Sequence, residues 1–272
     1  MDSTRHAVAA TGLLVAAMRA EESARADALF RDPFAARLAG DDGRQLLAES
    51  VAATGQPSDP IVVRTKLYDD ALLGLRGVRQ AVILAAGMDA RAYRLPWPQG
   101  SAVFEVDQPH VIALKDERLV GERPRCRRIA VGVDLADDWP KALAGQAFNA
   151  EIPTVWTIEG LLQYLEAPDV EQLFARVDAL SASGSTLLYD VVGTALLQAP
   201  FSAAMLEYMK KLGAPWVFSS DDPGALAGNV GWMPTVTDMA VPGNAWTRWA
   251  HPPIPADVPN APRGYFVEAV KA

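Results

Sequence analysis

The sequence predicts an α/β protein built on a mostly parallel sheet with helices on both faces. Three observations carry that prediction. Five short apolar runs recur through the middle of the chain: AVILAA (81–86), AVFEVD (102–107), IAVGVD (129–134), TVWTIE (154–159) and TLLYDVV (186–192). Helix-length segments separate them, at roughly 88–95, 108–119, 137–146 and 168–182. Each of the first four runs ends in, or just before, Gly87, Asp107, Asp134 or Glu159. Strands joined by helices pair in parallel, because the crossover returns the chain to the same end of the sheet. In open sheets of this kind ligands bind beyond the carboxyl ends of the strands, so those four residues mark a candidate site.

The elements follow in order. Residues 5–50 are Ala-rich with helical periodicity, interrupted at RDPF by Pro33, which cannot donate to a helix interior. SDP at 58–60 marks a new start, and 62–75 again reads helical, with Arg64 and Lys66 in the first turn. Residues 1–75 are therefore a helical extension, and 76–194 with 236–272 form the α/β core. Residues 195–235 interrupt the alternation with a Met- and aromatic-rich helix, LLQAPFSAAMLEYMKKLGAPW, and a loop-like SSDDPGALAGNVGW. This insertion reads equally as a cap over the crevice or as a connecting helix whose apolar face is core. WTRWA (246–250) and RGYFVEAVKA (263–272) read as two last strands. They bring the sheet to seven and close one edge as a hairpin.

Composition excludes several function classes. The chain has 272 residues and a formal charge of −8. Nucleic-acid binding is disfavoured, because phosphate neutralisation needs clustered Lys and Arg. The one basic cluster, ERPRCRRIA (122–130), precedes an apolar run and reads as a solvated strand entrance. Its arginines would lower the pKa of Cys126, but no His or Asn signature surrounds that thiol. A single cysteine forms no intramolecular disulfide and suits a reducing cytoplasm. Three histidines and one cysteine offer no pair at ligand spacing, so no metal is expected. No uncharged apolar stretch reaches the ~18 residues of a membrane span. The apolar Ala7–Ala17 stretch lacks a cleavage pattern and runs into a charged helical pattern, unlike a signal peptide.

The loop after the first strand, Leu84-Ala85-Ala86-Gly87-Met88-Asp89, has one glycine. A pyrophosphate site needs G-x-G-x-x-G so that backbone can approach the phosphates, and no Walker A loop is present. An adenosyl group without phosphate fits better. Asp107, about 20 residues on, is placed to accept hydrogen bonds from ribose hydroxyls. Asp134 could take an adenine amino group, with the Leu135 backbone at the ring edge. Taken singly, each aspartate reads equally as a helix N-cap.

These stretches resemble the leucine carboxyl methyltransferase-like family of S-adenosylmethionine-dependent enzymes, which includes bacterial and polyketide-pathway O-methyltransferases. The resemblance rests on MRAEESARADALFRDPFAARLAG, RTKLYDDAL, ILAAGMDARAYRL, FEVDQPHVIALK, VGVDLADDWP and TIEGLLQYL, which lie in the family's order. It implies a Rossmann-like class I methyltransferase fold and S-adenosylmethionine as cofactor. Carried over residue by residue, Arg64 would pair with the cofactor's methionine carboxylate, and Gly87 would pass its methionine arm. Asp107 would hold the ribose, Asp134 and Leu135 would frame the adenine, and Glu159 would lie by the amino group. Tyr164 would stand near the acceptor crevice, or serve as a core aromatic. The family commonly has L-G-A-G where this chain has L-A-A-G. Ala85 is strained there by roughly 1 kcal/mol if the position needs positive φ, and costs nothing otherwise.

Methyl transfer from a sulfonium is an in-line displacement in which the protein mainly aligns and dries the reactants. A carboxylate acceptor needs no general base, whereas a phenol is helped by one. His6, His110 and His251 are the imidazole candidates, with His251 and Tyr164 the residues picked for a catalytic part; none has an orienting partner in sequence. The family it resembles divides between protein C-terminal and small-molecule acceptors, and the short chain with its apolar insertion leads us to expect a small-molecule acid or phenol, polyketide-like in character. A protein C-terminal carboxylate is the alternative, and a non-catalytic cofactor- or partner-binding protein the alternative of another class. Phe201, Met205, Tyr208, Met209, Trp216, Phe218, Trp232, Trp246 and Trp249 read equally as an aromatic pocket or as core.

Overall fold

The computed structural model describes residues 2–55 and 58–272, with side chains from Ala10 onward. Three helices open the chain: α1 (Asp2–Ala24), α2 (Ala35–Thr54) and α3 (Asp59–Gly74). The alternating core follows: β1 (Gln80–Leu84), α4 (Arg91–Arg94), β2 (Ala102–Asp107), α5 (Pro109–Arg118), β3 (Arg127–Gly132), α6 (Trp139–Ala144), β4 (Val155–Ile158), α7 (Ala167–Ala179) and β5 (Thr186–Val192). Then come α8 (Thr194–Gln198), α9 (Ala203–Lys211), α10 (Ala225–Gly228), β6 (Trp232–Asp238), α11 (Ala240–Ala245) and β7 (Gly264–Lys271).

The seven strands lie in the order β3-β2-β1-β4-β5-β7-β6. Strands β1 to β5 pair in parallel, and β7 runs antiparallel to both β5 and β6. Period-two alternation divides each central strand between two cores. Ala81 and Ile83 face a layer with Leu13, Leu38, Val63 and Val111 from α1, α2, α3 and α5. Val82 and Leu84 face a second layer with Trp139, Leu143, Val170 and Phe174 from α6 and α7. Burial on both faces is why these strands read as continuous apolar runs. The direction of chain progression reverses between β1 and β4, which opens a crevice at their carboxyl ends. Among the described residues no helix is long and apolar enough to cross a membrane.

Two sequence-based expectations fail at the far edge. WTRWA is a turn, not a strand. Thr247 takes positive φ (57°), and the Arg248 guanidinium is drawn into a buried pair with Glu22, at 3.0 Å. Trp246 and Trp249 pack on the first core layer. The strand that pairs with β7 is instead β6, which begins at Trp232 inside the segment assigned to the insertion. Pro234 disguised it. Proline is tolerated because β6 is an edge strand with a partner on one side only. The insertion therefore ends before Trp232. Its helix α9 sits on α2, with the Tyr208 hydroxyl donating to the Leu46 carbonyl at 3.1 Å. Tyr208 and Met209 are core, as is Trp232.

Candidate functional site

The carboxyl ends of β1 to β4 and the inner face of α1 enclose a cavity of about 570 Å³. Arg64, Ala85, Gly87, Asp107, Asp134, Leu135, Glu159 and Tyr164 all line it. Eight residues predicted from separate stretches of sequence thus share one space. No residue of the 195–235 segment lines it; its cover is α1, through Thr11, Gly12, Val15 and Arg19. α1 lies directly on the loop after β1: a Cβ at Gly12 would be in ordinary van der Waals contact with it, 3.7 Å from the Met88 nitrogen and 3.8 Å from Gly87 Cα.

Asp107 is not a helix cap. Its Oδ2 accepts the Gly87 N–H at 2.6 Å and its Oδ1 accepts the Gln108 N–H at 2.7 Å. The carboxylate thus sets the one-glycine loop from the neighbouring strand. Burial pushes its pKa upward, against the two N–H donors. Asp134 is not a helix cap either. It accepts the Ala136 N–H at 2.8 Å in a short turn, and α6 is capped by Asp138. Each Asp107 oxygen accepts one N–H and has a second lone pair facing the cavity side of the loop.

Ala85 has φ of 51°. Its backbone occupies the left-handed region where an L side chain costs about 1–2 kcal/mol, so the strained alternative holds. Ala85→Gly is expected to stabilise the protein by about 0.5–1 kcal/mol, the unfolded chain's extra freedom offsetting part of the relief. Thermal unfolding should show a rise of about 1–4 °C; an unchanged or lower midpoint would mean the position carries no strain.

Behind the loop lies a continuous buried ion chain. Arg64 Nε donates to Glu159 at 3.1 Å, and its Nη1 lies 3.6 Å from Asp190. Arg91 spans Glu159 at 2.6 Å, Asp69 at 2.7 Å and Asp89 at 2.5 Å. Arg94 continues to Asp69 and Asp32, and Arg19 to Asp32. Burial opposes charge on Arg64, but Asp190 and Glu159 outweigh it and hold the guanidinium protonated. Burial likewise opposes charge on Glu159, and Arg91 and Arg64 together bring its pKa below the usual range. Arg19 reaches the cavity and donates to the Met88 carbonyl at 2.6 Å, while its buried Nε has no hydrogen-bond partner.

Sequence reasoning missed Arg19, Arg91, Asp190 and Gly160. Gly160 has φ of 64°, and a Cβ there would stand 2.7 Å from Arg64 Nη1. The glycine after Glu159 is the signal that pointed to it. Gly160→Ala should displace the Arg64 guanidinium, which is pinned on both sides, and lower cofactor affinity at least tenfold. Calorimetric titration checks this; unchanged affinity would show that Arg64 does not hold the ligand.

The other candidates fall away. His251 is exposed in the Pro-rich tail and does not line the cavity. The turn at Thr247 and the anchored Arg248 send the chain outward there, so the catalytic part predicted for His251 is withdrawn. His110 is exposed on α5, outside the cavity wall, and the His6 side chain lies outside the described residues. Tyr164 stands between the cavity and the insertion, edge-on to Trp216 with ring centroids 6.5 Å apart. Cys126 is not activated by its arginines: burial and Glu105 push its thiol up to about 12.

A family model described as leucine carboxyl methyltransferase matches residues 12–178. The chain belongs to the leucine carboxyl methyltransferase family. It is 36% identical over 302 residues to a Mycobacterium avium protein, covering 96% of this chain and 94% of that one. It is 48% identical over 195 residues to a Mycobacterium marinum protein, covering 66% of this chain and 65% of that one. The second match thus spans less than two thirds of the relative's length. Both relatives carry the provisional name S-adenosyl-L-methionine-dependent methyltransferase. The fold is shared with a Streptomyces avermitilis DUF574 family protein, with a TM-score of 0.63 at 14% identity over 85% of this chain and 91% of that one. It is also shared with a SAM-dependent methyltransferase from Archaeoglobus fulgidus, with a TM-score of 0.51 at 10% identity over 77% and 93%.

Proposed function

We propose that this family member transfers the methyl group of S-adenosylmethionine to an oxygen of a small-molecule acceptor, a carboxylate or a phenol. The observation that carries the reading is the convergence of Arg64, Gly87, Asp107, Asp134 and Glu159 on one cavity at the sheet's switch point. The donor set fits the cofactor's chemistry. Arg64 offers a guanidinium, seated where the Cβ-free Gly160 makes room for it, to a methionine carboxylate. Asp107 offers an ionisable acceptor for ribose hydroxyls, and Asp134 one for an exocyclic amine. The cavity volume suits a small ligand largely removed from solvent.

The cofactor supplies an activated methyl on a positively charged sulfur. What the chain does is bind, orient and exclude water. Glu159 and Asp190 fix Arg64 from two sides, so it meets a carboxylate without losing rotamer freedom. Arg91 pins Glu159 from behind. Thr11 and Val15 close the space from α1, and Tyr164 forms a wall toward the insertion. Among the described residues the cavity wall includes no histidine, which suits an acceptor that is already ionised. Calorimetric titration with S-adenosylmethionine, followed by methylation of a panel of aromatic acids and phenols, tests the reading. Binding with turnover of a small acceptor supports it; turnover of a protein carboxyl terminus alone would overturn it. Absence of any heat at millimolar cofactor would leave a scaffold role.

A further inference from the structure

One turn of α1 covers the cavity, and α2 fixes where that turn stands. Thr11, Gly12 and Val15 line the cavity, and Leu13 lies among them in the same turn. The Leu13 carbonyl oxygen is set against Gly43, a buried residue of α2. A Cβ at Gly43 would stand 2.6 Å from that oxygen and 2.9 Å from the Ala39 Cβ. Cβ atoms essentially never approach a carbonyl oxygen so closely, so the two helices meet here because residue 43 has no side chain.

The close approach is built by a break in α2. Gly40 leaves the helical region, with φ 60° and ψ −165°. The Arg118 guanidinium, at the end of α5, donates to the carbonyls of Leu38 and Ala39 just before the break. Beyond it, the Tyr208 hydroxyl ties the Leu46 carbonyl to α9. α2 is thus anchored on both sides of Gly43. The covering turn of α1 has little slack of its own, because Gly12 already rests on the Gly87–Met88 backbone.

We infer that Gly43 is a positioning residue for the cofactor: it sets the height of α1 over the Gly87 loop, and with it the width of the slot that takes the methionine arm. The inference rests on the proposed cofactor and on the arm's passage over Gly87. A methyl group added at residue 43 is wedged between two helices. α2 is tied to α5 and α9, so Leu13 gives way, and Thr11, Gly12 and Val15 move with it against the loop. In a close-packed interior such a shift is not absorbed locally. Asp107 belongs to β2, and Asp134 and Leu135 follow β3, so the groups proposed for ribose and adenine are carried by the sheet and not by α1.

The experiment is calorimetric titration of the full chain with two probes. These are S-adenosylhomocysteine and methylthioadenosine, which keeps the adenosyl end and lacks the amino-acid arm. Gly43→Ala should weaken S-adenosylhomocysteine at least about tenfold and leave the Kd of methylthioadenosine within about threefold. A general loss of packing would weaken both probes alike, and that result overturns the inference, as does unchanged affinity for S-adenosylhomocysteine. Gly12→Val tests the same clamp from the cavity side and does not depend on Gly43→Ala folding. With α1 held at a fixed height, the valine should obstruct the slot and give the same selective loss. Unchanged affinity for S-adenosylhomocysteine in Gly12→Val would show that α1 retreats freely, and overturns the inference while leaving the cofactor assignment standing. Binding of neither probe by the wild type overturns the cofactor assignment and this inference with it.

Discussion

Asp107→Ala is expected to weaken S-adenosylmethionine binding by at least about a hundredfold while leaving the far-UV spectrum intact. Two hydrogen bonds from ribose hydroxyls to a charged acceptor account for that loss, at about 1.5–3 kcal/mol each. The same carboxylate holds the Gly87 and Gln108 N–H groups, so some loosening of the loop adds to it. Asp107→Asn keeps one acceptor and should fall between. The pH dependence has opposite signs for binding and for folding. Burial raises the carboxyl's pKa, so affinity should fall as the pH is lowered through that raised value. The contribution of Asp107 to stability runs the other way. It is fully present below the unfolded pKa, near ~3.9, and lost as pH rises through the folded one. Calorimetry between pH 4 and 8 reads the first effect. Wild-type affinity in Asp107→Ala would show that the ribose is held elsewhere.

Arg91→Ala should be the most destabilising single change at the site. The guanidinium is 1% exposed and touches Asp69, Asp89 and Glu159 at once. Removing it leaves three buried carboxylates short of their cation, at a cost of about 3–5 kcal/mol. That is a large share of the roughly 5–15 kcal/mol that keeps a domain folded. The midpoint of thermal unfolding should drop by roughly 10 °C or more. Arg91→Lys should rescue little, because an ammonium cannot span three partners in the plane of a fork. Arg91 brings Asp89 and Glu159 below the ordinary carboxylate range against the cost of their burial. Their contribution is present at neutral pH and is lost as the pH falls toward those depressed values. Arg91→Ala should therefore flatten the acid limb of the stability profile. A stable variant with a wild-type acid limb would mean that the ion chain contributes nothing net.

The central strands and the residues at their ends that line the cavity were legible in the sequence for a local reason. A strand buried on both faces must be apolar throughout, and the residue at its carboxyl end must face the crevice. Gly87, Asp107, Asp134 and Glu159 could each be placed from a few neighbouring residues. β6 was not legible, because Pro234 obscures a strand until its edge position is known. His251 looked available for the matching reason, since the turn at Thr247 depends on a contact between Arg248 and Glu22, 226 residues apart.

What the sequence by itself determined is therefore the α/β alternation, the strand-end residues of the cavity wall and, through the motifs around them, the family. Those features depend on the chemistry of short segments, which period-two burial writes directly into the chain. Only the tertiary structure decided that α1, not the insertion, covers the cavity, that Ala85 bears positive φ, and that Arg64 is one link in a buried ion chain. These depend on segments far apart, such as Arg64 with Glu159, 95 residues on, and Tyr68 with Asp190, 122 residues on. Buried charges take their meaning from the partners the fold brings to them, because in a weakly screening interior each charge acts strongly on its neighbours and a lost partner is costly.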